Sequence, residues 1–570
     1  MTDAATTAKP KKPKKPKSDW RKTLFSDRRM VVMLLLGIAS GLPFAVITGT
    51  LNAWFTKYEI AIATIGVFAW SGLAYSFKFL WSPALHRTAA PFFSKMGLRR
   101  SWFIPIQCAI ALCFLGFSLM NPSDHFGLIA LLAVVAAFLS ATFDIVVDAW
   151  RIETANSPDD LDTLTTFYQG GYRSAAFIGG AGALILSDAI GWNLTLAILG
   201  VVMAITIYAA ILAPEPPRPE DRVDAKVVTP MIGTFTQGWR NLVLLIVVLG
   251  WAWAFITLGW FMYAAISSPE TAKAGEFTAN LGWLIVLATV GLPAFGGVWL
   301  LHARAKGLND VKLPALPAKA QGAADSMFSA IIEPMVDVIA RLKWVALLAL
   351  AIILTYRFTD SVWGSFAYPF YMGNTGGALA HTATEVALAS KMVGVVATIV
   401  GIVGGGILLK VIGRMPALVI AGVLAAVTNL LFYDLAMRGP VVAGMVDLLF
   451  LDDLFAMFGQ DVRNARLITA IMGENLAVGF ASVAYVAYLS GIVNPKYAAV
   501  QYALLGSLTL LIGQLGKPAL GAMIDAQGFG AAFLLVTLIG IIPVFLTLGE
   551  WYRQSRLPKV AAEPAPVAAE

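Results

Sequence analysis

Charge is what this chain lacks most. Only 13% of its 570 residues are Asp, Glu, Lys or Arg, against 58% hydrophobic. An ordinary soluble domain carries about 25% charged residues. The shortage excludes such a domain and leaves a polytopic membrane protein, with room for many spans of about 20 residues each. Cysteine is scarcer still. Cys108 and Cys113 stand five apart in one apolar run, make no metal motif and read as small core residues. The four histidines, His86, His125, His302 and His381, are all expected in loops. That leaves no intramembrane histidine pair for metal or acid–base chemistry, which argues against an intramembrane hydrolase. No enzyme, no metal and no organic cofactor are expected. The formal charge of +7 sits in the ends and loops, so it does not argue for nucleic acid.

What is present is a series of apolar runs. Residues 1–29 read as a disordered basic cytoplasmic tail, because K-P-K-K-P-K-K-P-K is too charged and proline-rich to pack, and no signal peptide is expected. Residues 30–213 hold six runs, an N-terminal six-helix bundle. Residues 214–240 form a Pro- and charge-rich cytoplasmic linker. Residues 241–301 hold an extra pair of runs. Residues 302–343 are a cytoplasmic loop with a surface amphipathic helix over Ser326–Leu342. Residues 344–551 form a C-terminal six-helix bundle, with an interfacial helix in the loop 438–466, and 552–570 a disordered cytoplasmic tail. The expectation is an all-α polytopic membrane protein of 14 spans, two six-helix bundles with two extra transmembrane helices between them. Basic clusters at 1–29, 82–101 and 302–343 place both termini in the cytoplasm. In the first span, Gly41 and Pro43 are expected to loosen the helix, and Gly41, Thr48 and Asn52 to form a polar strip.

Against this apolar background the stretch Ser140–Arg151, S-A-T-F-D-I-V-V-D-A-W-R, is exceptional. At about 100° per residue, Ser140, Asp144, Asp148 and Arg151 share one stripe of the fourth span. A carboxylate at membrane depth costs about 2.5–3.5 kcal/mol on insertion scales, so it faces a partner or a water-filled path. Lys78, Arg173, Arg357, Asp360, Lys391, Glu474 and Lys517 complete the intramembrane set. The expected pairs are Asp144 and Asp148 with Lys78 or Arg173, Asp360 with Lys391, and Glu474 with Lys517. Each pair taken singly could simply let helices pack. Their recurrence on facing helices favours transport, since buried ion pairs are a poor way to gain stability. A carboxylate whose proton occupancy follows helix movement would couple transport to protons. Asn52, Tyr75, Gln169, Tyr172, Tyr356 and Trp363 are the candidate substrate-lining residues, aromatic faces beside charges being suited to sugar rings.

Two loops, G-L-R-R at 97–100 and G-I-L-L-K-V-I-G-R at 406–414, resemble the loop signature of the major facilitator superfamily, with His86 and Lys410 where its aspartate is expected. G-I-A-S-G-L-P (37–43), T-G-T-L-N-A-W (48–54), Y-S-F-K-F-L-W-S-P (75–83), D-I-V-V-D-A-W-R (144–151) and G-Y-R (171–173) together resemble the AmpG-type muropeptide permeases of that superfamily. The second half looks similar around Asp360, Lys391 and Q-Y-A-L-L (501–505). The resemblance implies a major facilitator fold in the bacterial inner membrane. It also implies proton-coupled import of anhydromuropeptides, with Lys78, Asp144, Asp148, Arg173, Asp360 and Lys391 as the positions carried over. Protons are the only coupling ion implied, and the lipid bilayer and the small-molecule substrate the only partners, with a monomer expected. Phe143 departs from the glutamine common in the family, which removes a polar contact there. A related branch that moves acetyl-CoA is the alternative within transport, and a non-transporting membrane sensor or scaffold is the alternative outside it.

Overall fold

The computed structural model describes residues 27–78, 81, 82, 85, 88–156, 158–216, 231–267, 273–494 and 498–556. The arm 1–26, His86, linker residues 217–230 and residues 557–570 lie outside the described residues, so the expectations placed on them do too. Among the described residues the chain is helical throughout and carries no strand. Twelve helices are long and apolar enough to cross a membrane.

The first six helices are α1 (Arg28–Lys57), the shorter apolar α2 (Ile62–Phe77), α3 (Arg100–Ser118), α4 (Pro122–Thr154), α5 (residues 158–190) and α6 (Trp192–Leu212). Then come α7 (Gln237–Ser267), α8 (Ala274–Lys306) and α9 (residues 318–342). The second six-helix set is α10 (Val345–Met372), α11 (Ala383–Ile412), α12 (Arg414–Ala436), α15 (Val462–Ile492), α16 (residues 498–527) and α17 (residues 529–555). Between α12 and α15 lie the short α13 (Val441–Leu448) and α14 (Leu451–Ala456). Gly528, at φ +81°, breaks the long apolar segment Leu504–Ser555 into α16 and α17. Only glycine adopts that conformation without strain. The near face of the bundle is the one at which residue 27 lies, and the far face is the opposite one.

The halves repeat the same packing. In the first, α1 lies on α5, and α3 on α4 and α6. In the second, α10 lies on α16, and α12 on α15 and α17. Close approach rests on small residues, as in other membrane bundles. A methyl group on Gly41 would stand 2.8 Å from the Tyr172 carbonyl oxygen and 2.9 Å from the Ala175 methyl. Gly41 therefore seats α1 on α5 and does not loosen it. The loosening falls one turn later, where Val46–Thr50 forms a π-turn after Pro43. Thr50 donates from its hydroxyl to the Gly179 carbonyl, which belongs to a second π-turn, Phe177–Gly182 in α5. The halves meet where α2 packs on α16, α5 on α11 and α1 on α10.

The extra pair α7 and α8 packs beside the α2–α16 seam. Trp70 and Phe77 of α2 meet Phe261, Phe277 and Phe255 of the pair at ring-centroid distances of 5.8, 5.6 and 4.7 Å. Helix α9 is not the surface helix expected over Ser326–Leu342. Phe328, Ile331, Ile332 and Val336 are buried against Val243, Val247 and Leu300 of the pair. Amphipathicity marks an apolar face without saying whether lipid or protein covers it. The polar side of α9 is engaged too: Asp337 accepts from Asn494 at 2.9 Å and from Gln501 at 2.6 Å. The loop 438–466 holds two short helices where one was expected, with Leu448, Phe450, Met457 and Phe458 exposed.

The histidines also differ from expectation. His125 lies in the first turns of α4, and His302 inside α8. His381 sits in a loop but is buried, 3.1 Å from Glu385, and burial together with nearby Arg463 holds its pKa below the usual range.

Candidate functional site

The acidic stripe of α4 looks into the first half. Asp144 is buried, and Lys78 Nζ of α2 lies 3.5 Å from its Oδ2. Asp144 Oδ1 is buried with no hydrogen-bond partner. Three more buried polar atoms around it are equally unpartnered: Ser40 Oγ of α1, Tyr75 Oη of α2 and Ser140 Oγ of α4. Tyr168 and Tyr172 of α5 lie within electrostatic reach of the same carboxylate. An unpaired buried polar group costs free energy comparable to a lost hydrogen bond, so a cluster of them in one place marks where water or a ligand belongs.

Asp148 does not take its partner from another helix. It pairs with Arg151 on its own helix at 2.9 Å, three residues on, and its side chain is 43% exposed. The Arg151 guanidinium also stands 5.0 Å from the centroid of the Tyr168 ring. One helical turn brings Asp148 and Arg151 together without any tertiary requirement. Gln169 and Arg173 of α5 are exposed, and Arg173 makes no ion pair among the described residues. Asn52 is buried and donates to the Thr48 carbonyl of its own helix at 3.1 Å, leaving its Oδ1 unpartnered.

The second half holds its charges differently. Asp360 pairs with Arg357 at 2.5 Å, again three residues apart on one helix, and not with Lys391. Arg357 also donates to Ser482 of α15 at 2.7 Å. Glu474 accepts from Asn475 at 2.9 Å, and Asn475 accepts from Thr398 of α11 at 2.9 Å. Lys517 is buried and, among the described residues, has no carboxylate partner, so the expected Glu474–Lys517 pair does not form. Lys391 sits in a π-turn of α11, Ala387–Val393, with its ammonium 5.6 Å from the Tyr368 ring centroid. Its methylenes run along Gly180 of α5, joining the halves.

Two expected lining residues are core. Tyr356 stacks on Tyr485 at 5.3 Å and donates to the Leu418 carbonyl at 2.7 Å. Trp363 packs among Tyr371, Phe432 and Phe533. Tyr75 and Tyr172 stay beside Asp144. Ser40 and Tyr168 are the site residues the sequence reading missed. Tyr168 stands four residues before Tyr172, on the same face of α5.

At the near face, the arginine pair of the G-L-R-R loop, Arg99 and Arg100, is anchored. Arg99 is buried, binds Glu153 of α4 at 2.5 and 2.9 Å and donates to the Leu85 carbonyl at 3.0 Å. Glu215 accepts from the backbone amides of Arg99 and Arg100 at 2.9 and 3.1 Å.

Long apolar helices in two repeated halves, with charged side chains such as Asp144 and Lys517 buried among them, define a multi-pass membrane protein. The comparisons place it further. Residues 29–169 match the family model described as Acetyl-coenzyme A transporter 1. The chain is 26% identical over 526 residues to the anhydromuropeptide permease of Escherichia coli K12, covering 92% of this chain and 80% of that one. It is 25% identical over 527 residues to putative transporter AmpG 4 of Rickettsia felis, covering 92% and 97%. Among solved structures, an auto-inhibited POT family peptide transporter matches with TM-score 0.61 and 14% identity over 95% of this chain and 99% of that one. The POT family transporter PepTSo matches with TM-score 0.56 and 13% identity over 93% and 98%. The fold is the all-α major facilitator fold, and the resemblance to AmpG-type permeases runs through nearly the whole chain.

Proposed function

We propose that this protein imports anhydromuropeptides across the bacterial inner membrane, coupled to protons, by alternating access of its two halves. The observation that carries the reading is Asp144, buried in the first half with one carboxylate oxygen paired to Lys78 and the other without a hydrogen-bond partner. An open oxygen can take a proton, and the pairing to a different helix lets helix movement change how tightly that proton is held. Tyr75, Tyr168 and Tyr172 beside Asp144 would supply the aromatic and hydroxyl contacts that suit a sugar. The likeness to the anhydromuropeptide permease of Escherichia coli supports the cargo. Lys391, Arg357, Asp360 and Glu474 would hold the second half in shape around the same passage. We place both termini in the cytoplasm and read 14 spans: the twelve long helices, the short α2, and one more because Gly528 divides the last segment. Uptake of labelled anhydromuropeptide into vesicles, with and without an imposed proton gradient, tests this. Accumulation that follows the gradient is expected; binding without accumulation would make the protein a sensor.

A second reading has its own support, because residues 29–169 match an acetyl-CoA transporter model. Direct uptake separates the two: labelled acetyl-CoA supplied in place of muropeptide should not accumulate, and would accumulate were the thioester the cargo.

A further inference from the structure

We propose that Asp188 and Asp525 form a matched pair of latches that hold the far-face ends of the two halves together. Asp188 ends α5, and Asp525 ends α16, the equivalent helix of the second half. Each reaches across to the opposite half and caps the start of a helix there. Asp188 Oδ2 accepts from the Thr384 amide at 2.8 Å and the Thr384 hydroxyl at 2.7 Å, at the start of α11. Asp525 Oδ2 accepts from the Ala63 amide at 2.8 Å, at the start of α2. Helices α2 and α11 are themselves equivalent, so the two contacts are related by the internal repeat.

The sequence carries the same repeat. Asp188 begins D-A-I-G-W, and Asp525 begins D-A-Q-G-F. The glycine takes the same left-handed turn in both, φ +82° at Gly191 and +81° at Gly528. The first amides of a helix lack partners inside it and carry partial positive charge, so a carboxylate from outside binds them well. The residue before α2, Ala61, supplies no side-chain cap, so Asp525 fills that place from the other half. Both aspartates are exposed. Water can therefore replace the helix amides when the contact opens, and no bare charge is buried. A contact that is specific when closed and cheap to leave is what a reversible gate needs.

The consequence for uptake rests on the alternating-access reading, but the latch itself can be measured without transport. In a background with Cys108→Ser and Cys113→Ser, spin labels at Ser123→Cys and Thr375→Cys report the distance between exposed far-face positions of the two halves. With the full chain in lipid nanodiscs, one narrow distance is expected. Asp188→Ala with Asp525→Ala should raise a longer-distance population by roughly tenfold or more, the scale of a lost hydrogen bond to a charged group. Asp188→Asn with Asp525→Asn keeps an acceptor oxygen and loses the charge, so it should shift the population less. It also serves if the alanine variant does not fold. Distributions that superimpose on wild type in folded variants would overturn the latches. If distances shift while wild type accumulates no muropeptide, the latches stand and the transport reading falls.

Discussion

The two halves share one packing plan but hold their charges in different ways. In the first half, Lys78 and Asp144 lie on different helices, 3.5 Å apart, amid polar atoms with no partner. In the second half, Arg357 and Asp360 lie on one helix at 2.5 Å, and Glu474 is bonded to its neighbour Asn475. A pair within one helix travels with that helix and survives its movement. A pair between two helices is strained or broken when they shift. Only the second kind can convert movement into a change of proton affinity, so the proposed coupling is assigned to the Lys78–Asp144 pair of the first half.

The largest effect is therefore expected at Asp144. Asp144→Asn leaves Lys78 without its counter-charge. Breaking a buried pair costs about 3–5 kcal/mol, and the partial exposure of Lys78 reduces that to about 2 kcal/mol, or roughly thirtyfold. Gradient-driven uptake should fall by that factor or more. The exchange Lys78→Asp with Asp144→Lys should bring uptake back to within about tenfold of wild type, because the pair is remade between the same two helices. Failure of the exchange would place the carboxylate's role in direct contact with cargo and not in the pair. Glu474→Gln keeps an amide oxygen for Asn475 and should change uptake by no more than about threefold. An equal loss at Glu474 and Asp144 would erase the difference between the halves.

Much of this was legible in the sequence, for reasons that can be named. The apolar runs and the extra pair between the halves follow from the cost of charge in lipid, which also called for a cation beside Asp144 but left Lys78 and Arg173 as equal choices. Asp148 and Asp360 take Arg151 and Arg357, each three residues away on the same helix, where partners on other helices are expected. Helical spacing alone pointed to both. Lys391 found an aromatic face and a glycine stem where a carboxylate was expected. The burial of α9 and of Tyr356 could not be read at all, since periodicity identifies a face but not what covers it. Asp188 and Asp525 escaped notice because they stand at turns, where a charge calls for no explanation. Their signal was the recurrence of D-A-x-G before an aromatic residue at equivalent places.

The finest test of the contrast is a residue that looked like lining and is not. Tyr356 points its hydroxyl at the Leu418 carbonyl, 2.7 Å away, and its ring lies flat on Tyr485. Tyr356→Phe keeps the ring contact and removes the donor. The carbonyl left behind retains its own helix bonding, so the loss should be about 1 kcal/mol of stability. It should appear as a modest drop in the melting temperature of the purified protein in detergent. Uptake should not change, because nothing in that contact faces the passage. A clear loss of uptake with unchanged melting would put Tyr356 back at the cargo surface and make the second half a participant in recognition.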